Sequence, residues 1–218
     1  MISPHLTNIL VHAGTGLAAL LLGFAILAME KGTRIHNRLG NLFCLFTLMV
    51  CFSAIVGLVC FRFMPNFAVI TLLVLYQLVG GWRAAKRRTQ RPAFFDACWT
   101  LIATVFLISL LPPVTSQTGG TNTIAISTFG AIAFVLIYDS VRFFFPNDWH
   151  KYLWRYEHVY KLLSALFGML SALVGNVVRL WQPWSQLIPS AIGIAVIIYF
   201  LFKLYKEETA LSSYPNAN

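Results

Sequence analysis

Seven apolar stretches, each long enough to cross a hydrocarbon layer about 30 Å thick, follow one another along this chain, and no water-soluble core absorbs such a pattern. They run from Leu6 to Met29, Leu39 to Phe61, Asn66 to Ala85, Phe94 to Val114, Thr121 to Phe144, Tyr156 to Trp181 and Gln186 to Lys206. Only 11% of the 218 residues are charged, against about 25% in an ordinary globular domain. With no water in the bilayer core to satisfy the backbone, each span must be helical, and the short alternating strands of a barrel are absent. The sequence therefore predicts an all-α, polytopic integral membrane protein, a bundle of about seven transmembrane helices. Residues 1–208 form a single domain, and 209–218 form a polar C-terminal tail.

Lys and Arg set the orientation, because basic residues are retained on the cytoplasmic side. The first connection holds Lys31, Arg34 and Arg38, and the third holds Arg83, Lys86, Arg87, Arg88 and Arg91. The fifth holds Arg142, Lys151, Arg155 and Lys161, and the C-terminal end adds Lys203 and Lys206. Of the 16 basic residues only Arg62 and Arg179 are left for the opposite side. The N-terminus is therefore expected outside and the C-terminus in the cytoplasm. A net charge of +9 then reads as a topology signal, with the lipid bilayer and its anionic headgroups as the partner and no nucleic acid. No basic residue precedes Lys31, so the first span lacks the charged start of a cleavable signal peptide and is read as retained. Cys44, Cys51, Cys60 and Cys98 show no CxxC spacing and read as small apolar residues. The segment "FPNDWHKYLWRYEH", mixing Trp and Tyr with charge, reads as interfacial.

Ionisable groups in or against the hydrocarbon layer are expensive, so each is a candidate site residue. Eighteen residues make five helical turns, and two pairs have that spacing: His12 with Glu30, and His158 with Asn176. Gly16, Ala19 and Gly23 lie along the first stripe and Ala165, Met169 and Ala172 along the second; such small faces are packing seams in lipid. His12 and Asn176 are expected at the outer level. His36, in "KGTRIHNRLG", and His158 both open their spans from the cytoplasmic side, where two histidines at one depth can meet. Topology also brings Glu30, Arg83, Asp96, Asp139, Arg142, His150 and Glu157 to that level, with Asp139 and Arg142 pairing at i, i+3.

The elements "VHAGTGLAALLLG", "KGTRIHNRLG", "YQLVGGWRA", "YEHVYKLLSALFGMLSALVGN" and "LIPSAIG" together resemble the bacterial predicted membrane proteins of the domain of unknown function 2306 family. The resemblance spans nearly the whole chain in order. It implies a bacterial cytoplasmic (inner) membrane and marks His12, Gly32, His36, Gly40, Trp82, Arg83, His158 and Asn176 as motif positions. One departure is that Lys161 and Leu162 stand where the family shows an Arg-Met pair. The resemblance supplies no reaction.

Three functions stay open. A histidine/carboxylate cluster at the cytoplasmic side suits a redox protein binding haem b or a transition metal, with His36 and His158 as ligands. A proton-linked small-solute transporter would use His12, Asn176 and the inner cluster as the ends of a polar path. An accessory or assembly subunit would use the motifs for packing against a second copy or a membrane-complex partner. No catalytic residue is assigned, and whether the protein is an enzyme is left open. A retinal protein is excluded because Lys203 and Lys206 lie at the end of the last span, and a seven-span zinc hydrolase because no histidine follows His158.

Overall fold

The structure, a computed structural model, describes residues 3–212, and among them every regular element is helical. The helices are α1 (Pro4–Ala28), α2 (Arg34–Val56), α3 (Pro65–Arg87), α4 (Phe94–Ser109), α5 (Leu111–Thr115), α6 (Gly120–Val141), α7 (Asn147–Val177) and α8 (Trp184–Ser212). Six of them, all but α4 and α5, are long and apolar enough to cross a membrane. The fourth apolar stretch differs because Pro112 and Pro113 cannot continue a helix: α4 stops after 16 residues and the short α5 follows.

From Asn147 the segment read as interfacial is helical, forming the first turns of α7, which run unbroken into the sixth apolar stretch. At the other end of the chain α8 extends to Ser212, so the polar tail expected from residue 209 begins as helix; 213–218 lie outside the described residues.

Two apolar clusters organise the bundle, and α3 and α7 serve both. Ala19, Phe43, Cys51, Val74 and Leu166 belong to the first, which joins α1, α2, α3, α7 and the inner side of α8. The second, including Val69, Leu73, Leu107, Val114 and Ile132, joins α3 to α4, α5 and α6. The outer surface is correspondingly apolar: Leu21, Phe52, Phe134 and Val177 are all exposed, as side chains facing lipid must be.

Several sequence motifs turn out to be close helix contacts. A Cβ at Gly23 would strike Leu166 and Phe43, and one at Gly193 would lie 2.6 Å from Cβ of Phe167. Near Gly193, Ser190 Oγ donates to Ser171 Oγ (3.1 Å) and Ser171 Oγ to the Gln186 carbonyl (2.5 Å), so "LIPSAIG" is the seam between α7 and α8. "KGTR" is a helix-to-helix turn. Lys31 Nζ donates to the carbonyls of Ile26 and Leu27 at the end of α1, both at 2.8 Å. Gly32 takes φ +80°, and Thr33 caps α2 by accepting from the His36 N–H at 3.1 Å. Burial pulls the Lys31 ammonium below its ordinary pKa, and the nearby charge of Lys203 adds to that.

The glycines separate packing from mere flexibility. Gly193→Ala is expected to lower the thermal midpoint in detergent, because overpacking typically costs about 1–3 kcal/mol. Gly130→Ala, where nothing lies within 4 Å, should leave it unchanged or raise it through better helix propensity. A static light-scattering melt of the two variants checks both.

Candidate functional site

A buried carboxylate on α6 gathers the polar groups of four helices. Asp139 is 1% exposed, and Lys161 of α7, 0% exposed, donates to both its oxygens at 2.7 and 2.8 Å. Tyr76 of α3 donates to Asp139 Oδ2 at 2.5 Å, and its hydroxyl also meets Thr100 Oγ1 of α4 at 2.9 Å. A buried ammonium has to be paired and hydrogen-bonded to be tolerated, and Lys161 meets both conditions. Its stem finds room because α3 carries Gly80 and Gly81 there: a Cβ at Gly80 would lie 3.0 Å from Lys161 Cδ, and one at Gly81 3.0 Å from Lys161 Cβ. At 1.5 Å per residue, Tyr76 lies about 16 Å along α3 from its Arg87 end.

From Asp139 the network runs outward to the basic connections. Arg142, at the end of α6, lies 3.4 Å from Asp139 through Nε and donates through Nη1 to Glu157 of α7, which also accepts from the Tyr138 hydroxyl at 3.1 Å. Beside it Arg83 of α3 and Asp96 of α4 form a two-pronged pair at 2.7 and 3.1 Å. Asp96 also accepts from the Ala93 N–H at 2.7 Å, the carboxylate half of a capping box at the start of α4; alanine has no oxygen to supply the other half. Arg83, Asp96, Arg142 and Glu157 all line one cleft, which opens at the end of the bundle where the α3–α4 and α6–α7 connections lie.

This corrects two expectations. The i, i+3 partnership of Asp139 with Arg142 exists, but Lys161 is the closer partner, and Lys161 is no loop charge. Counting by loop placed it at the interface because it falls early in the sixth apolar stretch; its helix in fact begins 14 residues earlier, at Asn147. The histidine/carboxylate cluster also divides, since lysine and arginine take the carboxylates. Among the described residues no carboxylate is ion-paired to a histidine.

The histidines sit apart. His158 Nδ1 lies 3.1 Å from the Gly81 carbonyl, the hydrogen bond that puts the proton on Nδ1 and leaves Nε2 with a free lone pair. His36, in the first turn of α2, is within electrostatic range of His158, and its buried Nδ1 has no partner. The two rings carry nitrogen donors of the kind that haem iron accepts. They do not make a closed metal centre, because no group of three His, Cys, Asp or Glu gathers among the described residues. Glu30 is exposed beyond α1. At the opposite end His12 Nδ1 meets Ser53 Oγ of α2 at 2.9 Å, while Asn176 is exposed and donates to Ala172 of its own helix at 2.8 Å. The structure therefore does not join His12 to Asn176. Tyr76, Thr100, Tyr138 and Ser53 were missed, and only their places in apolar spans could have signalled them.

No family model, curated protein or solved structure matches this chain.

A buried pair is expected to be non-additive. Asp139→Asn strands the Lys161 ammonium and should cost about 3–5 kcal/mol, and Lys161→Met should strand the carboxylate. The double variant, with no charge left to desolvate, should melt closer to the parent than either single one; thermal melts of all four proteins in one detergent measure the coupling.

Proposed function

We propose that this chain is a seven-span protein of a bacterial cytoplasmic membrane, N-terminus outside and C-terminus inside, that moves a small solute together with a proton. Asp139 is the proton-binding group in this reading and Lys161 its counter-charge. Kinship with the domain of unknown function 2306 family belongs to the same proposal and rests on the motifs quoted above.

The carrying observation is the Asp139–Lys161 pair, buried between α6 and α7 and linked through Arg142 and Glu157 to an open cleft. Ionisable groups within membrane helices characteristically mark proton relays and ion paths. A proton on Asp139 cancels its charge and frees the Lys161 ammonium. That ammonium then needs another counter-charge, which an entering solute supplies; loss of the proton closes the pair again. Among the described residues Tyr76 packs in an apolar cluster with Val69, Leu107, Leu110 and Ile132, whereas the polar network runs through Arg142 and Glu157 to the cleft. Carriers that alternate access expose their site to one side at a time, and this asymmetry fits that behaviour.

Full-length protein in liposomes with a trapped pH-sensitive dye tests the reading. Under an inward proton gradient, phosphate, lactate and glutamate are added in turn. At least one is expected to accelerate internal acidification, with the acceleration reduced at least tenfold in Asp139→Asn and less in Tyr76→Phe, which keeps the carboxylate and removes one hydrogen bond. Equal acidification in empty liposomes and proteoliposomes for all three solutes would remove the proposal.

One observation favours a second reading. His158 is held by the Gly81 carbonyl in the orientation of a metal-bound imidazole, with His36 near it. A haem b held by these two rings would supply one-electron chemistry. A reduced-minus-oxidised absorption spectrum of haem-supplemented protein should then show a b-type α-band that vanishes in both His36→Ala and His158→Ala; a featureless spectrum ends that reading.

A further inference from the structure

We infer that the cleft at the basic end is a binding site for a phosphate-bearing group, held by Arg87, Arg88, Arg91 and His150. The site stands whether or not the protein transports anything.

Charge is the first ground. Five guanidiniums line the cleft, but Arg83 is committed to Asp96 and Arg142 to Glu157 and Asp139. Arg87, Arg88 and Arg91 have no carboxylate partner among the described residues, so the cleft carries an excess of three positive charges on five consecutive positions of chain. Like charges held this close repel, and an anion among them removes the penalty.

Unused donors are the second ground, independent of charge. His150 of α7 is 4% exposed and lines the cleft, and its Nε2 has no hydrogen-bond partner. Arg87 Nε is buried and also without one. A buried donor left unmade is costly, and among the described residues this cleft holds three nitrogens without a hydrogen-bond partner: Arg87 Nε, His150 Nε2 and Arg142 Nε, the last of which has only the 3.4 Å ion pair with Asp139. An oxyanion with several acceptor oxygens satisfies the first two, with the imidazole, whose other N–H is held by the Phe145 carbonyl, donating from Nε2 as imidazolium.

The remaining donors are already oriented. Arg87 Nη2 donates to the Arg91 carbonyl at 3.1 Å, and Arg91 Nη2 reaches the Phe143 carbonyl at 3.5 Å. These bonds fix the two guanidiniums across the mouth of the cleft without neutralising either. Arg88 lies over the Trp154 ring at 5.9 Å, at the wall of the same cleft. Guanidiniums in this arrangement favour tetrahedral and planar oxyanions over halide, because several oxygens are engaged at once. A phosphate group of this kind comes either from a free small molecule or from the headgroup of an anionic lipid.

Two measurements on the full-length protein separate these sources. Equilibrium dialysis in detergent with radiolabelled inorganic phosphate reads the free ligand. Native mass spectrometry from nanodiscs of phosphatidylglycerol and phosphatidylcholine reads retained lipid. At least one is expected to give a single site per chain, weakened tenfold or more in both Arg87→Gln and His150→Gln and unchanged in Lys151→Gln, whose ammonium is exposed and paired with Asp148. Arg88→Gln, at an exposed position, keeps the test open should a buried variant misfold. Phosphate binding points to a soluble ligand, and retention of phosphatidylglycerol alone points to a lipid headgroup. Absence of both, or binding equal to the parent in Arg88→Gln and in every well-folded variant, overturns the site.

Discussion

One carboxylate fixes how half of this bundle is put together. In lipid, helices gain little from burying apolar surface against each other, so polar contacts and close backbone approach decide which faces meet and in what register. Asp139 receives Lys161 from α7 and Tyr76 from α3, and the Tyr76 hydroxyl brings in Thr100 of α4. Sliding any of the four helices by one turn would break at least one of these bonds and leave a charge or hydroxyl unpaired in an apolar surrounding. Gly80 and Gly81 belong to the same constraint, because a side chain at either position would occupy the space of the Lys161 stem.

Charge is arranged in two layers around that point. Inside, three cations and three carboxylates are matched: Lys161, Arg142 and Arg83 against Asp139, Glu157 and Asp96. At the rim the balance is abandoned, with Arg87, Arg88 and Arg91 unmatched. Topology alone explains basic residues at this end. It does not explain why, among the described residues, Arg87 Nε and His150 Nε2 are buried there without hydrogen-bond partners, as exposed loop charges would not be. The inner layer stabilises the helix assembly, and the rim faces whatever approaches it.

Much of the fold was legible from the apolar pattern, because a membrane span leaves a long one-dimensional signal. Helix ends at Pro4, Pro65 and Phe94 fall within a few residues of the stretches read from hydropathy. The departures have local causes: Pro112 and Pro113 break the fourth stretch, and the first turns of α7 are too polar to register as span although they are helical. The site was less legible. Asp139 finds Lys161 across helices, a pairing that no spacing within one helix reveals. His12 and Asn176 share a depth in sequence arithmetic but not a partner, since Ser53 and a backbone carbonyl satisfy them separately.

The choice of lysine rather than arginine at 161 has a physical consequence. A guanidinium stays charged under any buried condition, so an Arg–Asp pair there could respond to a proton only through the carboxylate. An ammonium on an unbranched stem fits where Gly80 and Gly81 leave α3 without side chains. The ammonium gives Asp139 two donors at once, at 2.7 and 2.8 Å, from a flexible stem that can adjust to the carboxylate. Closed in this way the pair adds no net charge to the helix interior, where an unpaired charge would be the most costly group a membrane helix could carry.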